Sequence, residues 1–296
     1  MTRHTAAGTL AGARPRSRPR VRSRDVWRLL RFLAILLLLV ASLFPIYWML
    51  NTAITPSNDL LRYPPRLIPT QQDWSAFTSV FRDTSFPVWL ANSTLMTMSS
   101  VAVALVVSTF AAYSLSRFKS KFSSIIAYVL LATRMIPGTV LLVPLYMIFR
   151  DWGLLDTKMA LIIAYTTFEI PFATWMLKGY FDSIPPELEQ AAEVDGATPL
   201  GAFLRVSLPL TGPGIAASAI ASAILAWGDY EFARGLLSSQ SNWPLTIGIH
   251  SFIGEHVVHW NEIMASSLMG TLPVVVIFLA AERFIVAGLT AGAVKS

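Results

Sequence analysis

Residues 32–50 read FLAILLLLVASLFPIYWML and contain no charged side chain. An α-helix of this length and composition is long enough to cross the hydrocarbon core of a bilayer. The rest of the 296-residue chain has the same character, because 54% of its residues are hydrophobic and only 14% are charged. Soluble domains carry roughly 25% charged residues. The composition therefore predicts a membrane protein and excludes a soluble globular fold.

The positive charge of the chain is concentrated before this apolar run. The formal net charge is +6, and residues 1–31 contain nine arginines but a single acidic residue, Asp25. Such low-complexity sequence cannot bury a core, so we predict a disordered arm over 1–31 and a transmembrane domain over 32–296. A nucleic-acid-binding arm and an organellar transit peptide are alternatives, but a cytoplasmic anchor that follows the positive-inside rule is favoured. The apolar run is too long for a cleaved signal peptide.

Six stretches are apolar enough to form transmembrane helices. They are about Phe32–Ala53, within Val88–Leu115, about Ser123–Phe149, about Met159–Phe181, from near Pro213 to near Asp229–Glu231, and about Ile263–Ala281, ending at Glu282-Arg283. Arg134, Pro137 and Pro144 interrupt the third stretch, and Pro171 marks a break in the fourth. The predicted fold is an all-α polytopic membrane protein. The basic residues, chiefly those of the arm, place both termini in the cytoplasm.

A polar segment between the fourth and fifth predicted helices reads SIPPELEQAAEVDG, residues 183–196. Ser183 is predicted to cap a short helix whose first turn contains two prolines, and Gly196 is predicted to end it. A second short helix is expected over about Leu200–Val206, ending before Pro209. Acidic residues dominate the first helix, whereas helices that lie on lipid are usually rich in lysine and arginine. The segment is therefore predicted to dock another protein.

The same segment resembles the EAA loop of bacterial ABC importer permeases. The resemblance rests on Gln190-Ala191-Ala192-x-x-x-Gly196, followed by Val206-x-Leu208-Pro209. Four other stretches are similar to the carbohydrate importers, and best to the second permease of the maltose-type pair: Met135–Gly138, Pro144–Tyr146, Trp227–Tyr230 and Val286–Lys295. The resemblance covers the chain from the first helix to the C-terminus. It implies the type I (MetI-like) ABC importer permease fold.

In that family the loop, here about residues 182–208, contacts the ATPase subunit, and we refer to it as the coupling loop. The resemblance assigns ATPase docking to eight residues: Glu187, Glu189, Gln190, Ala191, Ala192, Glu193, Asp195 and Gly196. Gln190 stands where the family has the glutamate that names the motif, so a neutral contact replaces a charged one. Glu189 or Glu193 is a candidate to compensate, although neither points in the same direction on a helix.

The resemblance also implies a heteromeric transporter in the bacterial inner membrane. Its partners are a second, non-identical permease, a dimer of ATPase subunits and an extracytoplasmic sugar-binding protein, with lipid around them and no nucleic acid. The chain has no glycine-rich phosphate-binding loop that ends in lysine. ATP and Mg are therefore expected to bind the partner ATPase, and this chain needs no cofactor of its own. Closure of the ATPase dimer is expected to move the coupling loop as a lever.

Polar residues inside the predicted spans are expected to serve the transport pathway, because charge within a bilayer is costly. The six predicted pathway residues are the charged side chains together with a helix-breaking proline and two aromatic residues near them: Arg134, Pro137, Glu169, Trp227, Asp229 and Tyr230. The guanidinium of Arg134 is suited to substrate oxygens, best those of a phosphate or sulfonate. The alternative is a structural ion pair with one of three carboxylates: Glu169, Asp229 or Glu231. Trp227 and Tyr230 are either sugar-stacking residues or members of the aromatic belt.

Catalytic and metal chemistry have little support in the sequence. The absence of cysteine excludes disulfides, thiolate metal sites and cysteine nucleophiles. His256-x-x-His259 lacks a third ligand at a recognisable spacing. The resemblance to the carbohydrate importers implies that the external loop 238–260, which carries this pair, reaches toward the sugar-binding protein. We predict a permease subunit, not an enzyme, that imports a di- or oligosaccharide or an anionic sugar or polyol by alternating access. An ion-coupled secondary transporter is the alternative.

Overall fold

The computed structural model describes the backbone of residues 23–293 and the side chains of residues 27–280. Within that range the protein has thirteen α-helices and no β-strand. The helices are α1 (Ser23–Ile54), α2 (Ser75–Asp83), α3 (Phe86–Arg117), α4 (Lys121–Thr133), α5 (Gly138–Asp151), α6 (Lys158–Ser183), α7 (Glu187–Val194), α8 (Pro199–Ala202), α9 (Leu208–Leu210), α10 (Gly212–Trp227), α11 (Glu231–Leu236), α12 (Leu245–His250) and α13 (Trp260–Ala293). A π-helical turn, Phe203–Ser207, joins α8 to α9. The predicted all-α class is confirmed.

Four helices are individually long and apolar enough to cross a membrane, namely α1, α3, α6 and α13. Two bent pairs meet the same criterion when each counts as one span. The first is α4 with α5, which meet at 97°, and the second is the segment Pro199–Leu210 with α10, which meet at 68°. The described part of the chain therefore provides up to six crossings, as predicted. The predicted interruption at Arg134 and Pro137 is confirmed, since both residues lie in the α4–α5 corner.

The chain divides into two compact units, residues 1–47 and residues 48–296. In the first unit the structure describes α1 as far as Tyr47, and the leucines of this segment, such as Leu37 and Leu38, are exposed. The helix starts at Ser23, earlier than the predicted Phe32, because apolar and helix-favouring residues extend the pattern toward the N-terminus. Residues 1–22 of the predicted arm lie outside the described residues.

In the second unit, the polar side chains of α3 point into the protein. The Asn92 amide donates to the carbonyl oxygens of Ser241 and Trp243 at 2.8 and 2.9 Å. The hydroxyl oxygen of Ser93 accepts a hydrogen bond from the N–H of Leu245 at 2.8 Å. These groups are buried, and a polar group in hydrocarbon needs a partner within the protein. The polarity of α3 therefore reflects its position between other helices.

The predicted breaks at Pro144 and Pro171 are wrong, since α5 and α6 continue through these residues. A proline removes one N–H from the helix, and neighbouring helices and hydroxyl groups can compensate for the loss inside a membrane protein. Next to Pro171, the hydroxyl of Ser108 in α3 donates to the Ile170 carbonyl at 3.1 Å, which ties α6 to α3 beside the proline although it does not replace the lost N–H.

The C-terminal helix is longer than predicted. α13 continues to Ala293 instead of ending at Glu282-Arg283. Glu282 and Arg283 end the apolar stretch, but they do not end the helix. The backbone hydrogen bonds of an α-helix form outside the lipid as well as within it. The side chains of the family-like stretch Val286–Lys295 lie outside the described residues.

The predicted external loop 238–260 is partly folded. It contains α12, whose residues Leu245, Ile247 and Gly248 are buried. Gly248 lies against the fully buried ring of Trp89 in α3. The first part of the loop is therefore packed on the helices.

Candidate functional site

The coupling loop starts differently from the prediction. α7 begins at Glu187, directly after Pro186, whereas Ser183 ends α6 and donates its hydroxyl to the Tyr180 carbonyl at 2.7 Å. The predicted capping role of Ser183 is therefore wrong. Two prolines separate Ser183 from the first turn of α7. Ile184, which precedes the first of them, is held in an extended conformation.

The other end of α7 confirms the prediction for Gly196. This residue adopts a φ of +93°, a left-handed conformation that is open to glycine. Its N–H donates to the Glu193 carbonyl at 3.0 Å, and the N–H of Ala197 donates to the Ala192 carbonyl at 2.9 Å. These two bonds form a Schellman motif, which satisfies the last carbonyls of the helix and turns the chain toward α8.

Gly196→Ala is expected to loosen the coupling loop, because a left-handed conformation costs an alanine about 1–2 kcal/mol. The effect is one of the backbone alone, since no heavy atom lies within 4 Å of an added Cβ at Gly196 or at the control position Gly212. Limited proteolysis of the purified protein should cleave the loop severalfold faster in Gly196→Ala and no faster in Gly212→Ala. Equal cleavage of the two variants would contradict this role of the turn.

The second half of the coupling loop is one helical segment, Pro199–Leu210, and not the predicted helix over Leu200–Val206. Pro209 lies inside this segment. The N–H of Leu208 donates to the carbonyl of Phe203, five residues earlier. This wider π-helical turn relieves the crowding between the proline ring and the preceding carbonyl. The helix therefore passes through Pro209 instead of ending before it.

Glu189 lies on the inner side of α7, with 7% of its surface exposed. Its Oε1 accepts hydrogen bonds from Arg117 Nε at 2.8 Å and from the Ser207 hydroxyl, and it lies 2.7 Å from Arg117 Nη2. Its Oε2 accepts a hydrogen bond from the Tyr113 hydroxyl at 2.8 Å. One carboxylate thus binds α7 to the end of α3 and to the π-helical turn. Glu189 is therefore not available as an exposed docking charge.

Arg117 uses its remaining donors on the end of α6. Its Nη1 donates to the Phe181 carbonyl at 3.1 Å, and its Nη2 donates to the Ile184 carbonyl at 3.3 Å. The coupling loop is therefore fixed to two transmembrane helices through one ion pair. We refer to the four side chains of this network as the Glu189 cluster: Tyr113, Arg117, Glu189 and Ser207.

Burial and hydrogen bonding act in opposite directions on the Glu189 carboxyl. Burial acts to raise its pKa, but the hydrogen bonds from Arg117, Ser207 and Tyr113 outweigh burial and hold the pKa below the usual glutamate value. The ion pair therefore stabilises the fold at neutral pH, and this contribution is lost only as the pH falls through the lowered pKa. Because 72 positions separate Glu189 from Arg117, no local sequence motif shows the pair.

The outer side of α7 carries the other docking candidates. Those that are exposed are Glu187, Gln190, Ala191, Glu193, Asp195 and Gly196, and Ala192 is half-buried. Leu188 and Val194 are exposed beside them. Among the described side chains, none of the three exposed carboxylates on this surface forms a salt bridge. The helix thus presents small and apolar side chains next to acids that are free to meet a partner.

A cavity of about 740 Å³ lies at the corner between α4 and α5, beside α6 and α10. We refer to it as the corner cleft. The 97° bend between α4 and α5 opens this space because the chain turns away from the neighbouring helices. Four of the six predicted pathway residues line it: Arg134, Pro137, Glu169 and Asp229.

Arg134 is exposed at the corner cleft. Its Nη1 donates to the Phe168 carbonyl at 3.1 Å, and its guanidinium carbon lies 5.5 Å from the centre of the Phe172 ring. No described carboxylate lies within 4.0 Å of it, which excludes the three predicted structural partners: Glu169, Asp229 and Glu231. The charge of Arg134 is therefore not neutralised by a described carboxylate.

The two carboxylates at the cleft differ in what they bind. Asp229 Oδ2 accepts hydrogen bonds from the Tyr165 hydroxyl and from the N–H of Ala233, both at 3.0 Å, and so caps α11. Glu169 is 3% exposed, and its Oε1 accepts a hydrogen bond from the Ser100 hydroxyl at 3.1 Å. Its Oε2 has no partner among the described atoms. Asp229 therefore stabilises the start of α11, whereas one oxygen of the buried Glu169 carboxylate has no hydrogen-bond partner among the described atoms.

The two aromatic candidates do not line the corner cleft. Trp227 packs against the apolar cluster that contains Trp89 and Leu245. The Tyr230 ring stacks on His250, with 4.8 Å between the ring centres. Both aromatic residues contact the folded part of the outer loop, whose position the sequence did not show.

The His256-x-x-His259 pair lies in the same outer loop. Among the described side chains, no group of three or more His, Asp or Glu residues is arranged to bind a metal ion. His259 instead lies near Glu262, with 3.9 Å between Nδ1 and a carboxylate oxygen. The pair gives no support to a metal-dependent function.

Proteins similar to this chain are permeases of ABC transporters. The chain is 36% identical over 274 residues to the inner membrane ABC transporter permease protein YcjP of Escherichia coli, over 92% of this chain and 98% of the relative. It is 35% identical to the sulfoquinovosyl glycerol transport system permease protein SmoH of Agrobacterium fabrum, over 90% and 93%. Its fold resembles a bacterial ABC transporter involved in the import of the acidic polysaccharide alginate, with a TM-score of 0.75 and 23% identity over 90% and 99%.

These similarities decide between the function classes that the sequence left open. The chain is a multi-pass inner-membrane permease, a transport subunit without enzymatic activity, and the ion-coupled secondary transporter is excluded. The predicted MetI-like fold of ABC importer permeases is confirmed. Residues 104–287 match the family described as the binding-protein-dependent transport system inner membrane component. The chain belongs to this family.

Proposed function

We propose that the chain is one of two non-identical permease subunits of an ATP-driven carbohydrate importer. The observation that supports this most is the coupling loop, in which one carboxylate fixes α7 to α3 and the π-helical turn. The outer side of the same helix is exposed. A surface that is held rigidly on transmembrane helices and left open on the outside is suited to transmit a movement from a partner.

The partner at this surface is the ATPase subunit, which binds ATP and Mg. The docking residues are those on the exposed side of α7: Glu187, Gln190, Ala191, Ala192, Glu193, Asp195 and Gly196. Small side chains permit close approach, and the unpaired carboxylates favour a basic or hydrogen-bonding groove on the ATPase. Glu189 is a positioning residue, because its carboxylate is bonded within the chain.

The coupling loop faces the cytoplasm, where ATP is available, and both termini lie on that side. Four basic residues line a cavity at the same end of the helices as Pro186 of the coupling loop: Arg117, Lys119, Lys121 and Lys178. Such clustering near the ends of membrane helices favours the cytoplasmic side. The opposite end then meets the extracytoplasmic sugar-binding protein.

The substrate passes through the corner cleft, which the second permease completes. Arg134, whose charge no described carboxylate neutralises, supplies an exposed cation at this surface. We infer that the substrate is a sugar derivative with an anionic group, because a guanidinium binds phosphate or sulfonate oxygens with two parallel hydrogen bonds. The relative SmoH is named for sulfoquinovosyl glycerol, which is consistent with a sulfonated solute.

Arg134→Gln is expected to raise the KM for an anionic sugar by at least tenfold and to change neutral-sugar uptake little. The reason is that a hydrogen bond to a charged group contributes about 1.5–3 kcal/mol. The measurement is uptake of sulfonated and neutral sugars by the reconstituted complex. Arg150→Gln is the control, since Arg150 is exposed and pairs only with its neighbour Asp151. Unchanged uptake together with a less stable complex would limit Arg134 to a structural role.

The proposed function as a whole is tested by uptake into proteoliposomes that contain both permeases, the ATPase and the binding protein. Uptake should require ATP and be blocked by vanadate. Uptake by this chain alone along an ion gradient would overturn the proposal. Deletion of Leu188–Gly196 should abolish co-purification with the ATPase, and continued co-purification would overturn the docking assignment. Thermal-shift screening of the cognate binding protein would identify the sugar.

A further inference from the structure

A second cavity, of about 470 Å³, lies where three helices meet beside the coupling loop. The end of α3, the start of α4 and the end of α6 form its walls. Its polar lining combines four cationic side chains with serines and one carboxylate, and the charged residues are Arg117, Lys119, Lys121, Lys178 and Asp182. We refer to it as the basic pocket. The transport pathway proposed above does not include it.

Two of the positive charges of the basic pocket are already neutralised. Arg117 is paired with Glu189 at 2.7 Å, and Lys178 with Asp182 at 2.6 Å. Lys119 and Lys121 are exposed, and neither lies within 4.0 Å of a described carboxylate. Two lysine charges therefore remain for an anion in this concave site, beside the Ser120 hydroxyl, which accepts a hydrogen bond from the N–H of Ser123.

The surface next to these two lysines is apolar. Phe118 and Phe122 precede and follow them in sequence and are 69% and 72% exposed. Ile125, on the next turn of α4, is also exposed. Contiguous exposed apolar side chains mark surfaces that contact a membrane or another protein. The site therefore joins a cationic pocket to an apolar surface, as a molecule with a charged head and a hydrocarbon tail requires.

We propose that the basic pocket binds the phosphate headgroup of an anionic phospholipid, whose acyl chains lie along Phe122 and Ile125 of α4. This rests on the proposed function only for the side of the membrane, since the coupling loop places the pocket at the cytoplasmic leaflet. That leaflet is rich in anionic lipid and attracts basic residues near its surface. A soluble phosphate ion gains nothing from the exposed phenylalanines, so a lipid fits the surface better.

The experiment measures lipid binding to the purified complex of both permeases and the ATPase. Phosphatidylglycerol is titrated into the delipidated complex, with phosphatidylcholine as the neutral lipid, and bound lipid is counted by native mass spectrometry. Lys119→Gln/Lys121→Gln should weaken phosphatidylglycerol binding by about 25-fold, at roughly fivefold per lysine. Lys119→Arg/Lys121→Arg should retain binding. Lys158→Gln, at the opposite end of α6, is the matched control and should bind as the unchanged complex does.

Three outcomes would overturn the proposal. These are equal phosphatidylglycerol binding by the double glutamine variant and the control, equal binding of the two lipids by the unchanged complex, and displacement of phosphatidylglycerol by millimolar inorganic phosphate. The last outcome would make the pocket a soluble anion site. The measurement uses neither ATP nor a transported solute. A complex that binds the lipid but fails to transport would therefore contradict the proposed function and leave the lipid site standing.

Discussion

Glu189→Ala should reduce ATP-driven uptake by at least 100-fold, which is more than any change on the exposed side of α7. The substitution leaves the largely enclosed guanidinium of Arg117, whose side chain is 13% exposed, beside Tyr113 and Ser207 without a counter-charge. Removing one partner of a buried ion pair costs about 3–5 kcal/mol. A free-energy change of about 1.4 kcal/mol corresponds to a factor of ten. The ratio of molecules with a correctly placed coupling loop to molecules with a detached one therefore falls more than about 100-fold. The measurement is uptake together with co-purification of the ATPase.

Two variants separate this effect from a general loss of acidic charge. Glu193→Ala removes one exposed docking carboxylate from the same helix and should reduce uptake by no more than about fivefold, because a single exposed ion pair with a partner contributes only about 0.2–1 kcal/mol. The double variant Arg117→Ala/Glu189→Ala removes both charges and should recover part of the activity, because no unpaired charge remains buried. Similar losses in Glu189→Ala and Glu193→Ala, or a double variant worse than either single one, would contradict the positioning role of the Glu189 cluster.

Gly248→Ala is expected to destabilise the fold by about 3 kcal/mol and to lower the Tm by roughly 6 °C or more. An alanine Cβ at this position would lie 2.1 Å from Trp89 Cε3. The Trp89 ring is 1% exposed and is enclosed by Trp243 and Phe252. Neither the ring nor α12 has room to move. Thermal unfolding in detergent, followed by tryptophan fluorescence, is the measurement.

The control for this substitution is another glycine of the same unit. Gly179→Ala adds a methyl group on an exposed part of α6, with no heavy atom within 4 Å of its Cβ. It should leave the Tm unchanged or raise it slightly, because alanine favours a helix more than glycine does. The second-site change Trp89→Leu should restore part of the stability of Gly248→Ala. Equal unfolding temperatures for the two alanine variants would show that α12 is not packed on α3.

Features that depend on a few consecutive residues were predictable from the sequence. Gly196 was assigned to the end of α7 because only glycine enters the left-handed region without cost, and its φ of +93° agrees. The α4–α5 corner was indicated by Arg134 and Pro137 within an apolar stretch. In both cases the physical reason lies within one or two helical turns, so no knowledge of the tertiary structure was needed.

Features that depend on distant residues were not predictable. The sequence does not distinguish Glu189 from the other acidic residues of α7, because only the fold brings Arg117 to it. For the same reason, the sequence did not show that Trp227 packs against a cluster to which α12 contributes Leu245. The local rule for proline also failed, since α6 stays helical through Pro171 while it is packed and hydrogen-bonded against α3.

The α4–α5 corner has a consequence for the life of the subunit before it is assembled. At 1.5 Å per residue, each arm is about 20 Å long, whereas the hydrocarbon core is about 30 Å thick. An interrupted helix leaves backbone groups at membrane depth that protein or water must satisfy. In a copy of the chain that is not assembled with other subunits, the backbone groups of the α4–α5 corner must therefore be satisfied by water, because lipid cannot satisfy them. We therefore expect an unassembled copy to be less stable in the bilayer than one in which another protein covers the corner.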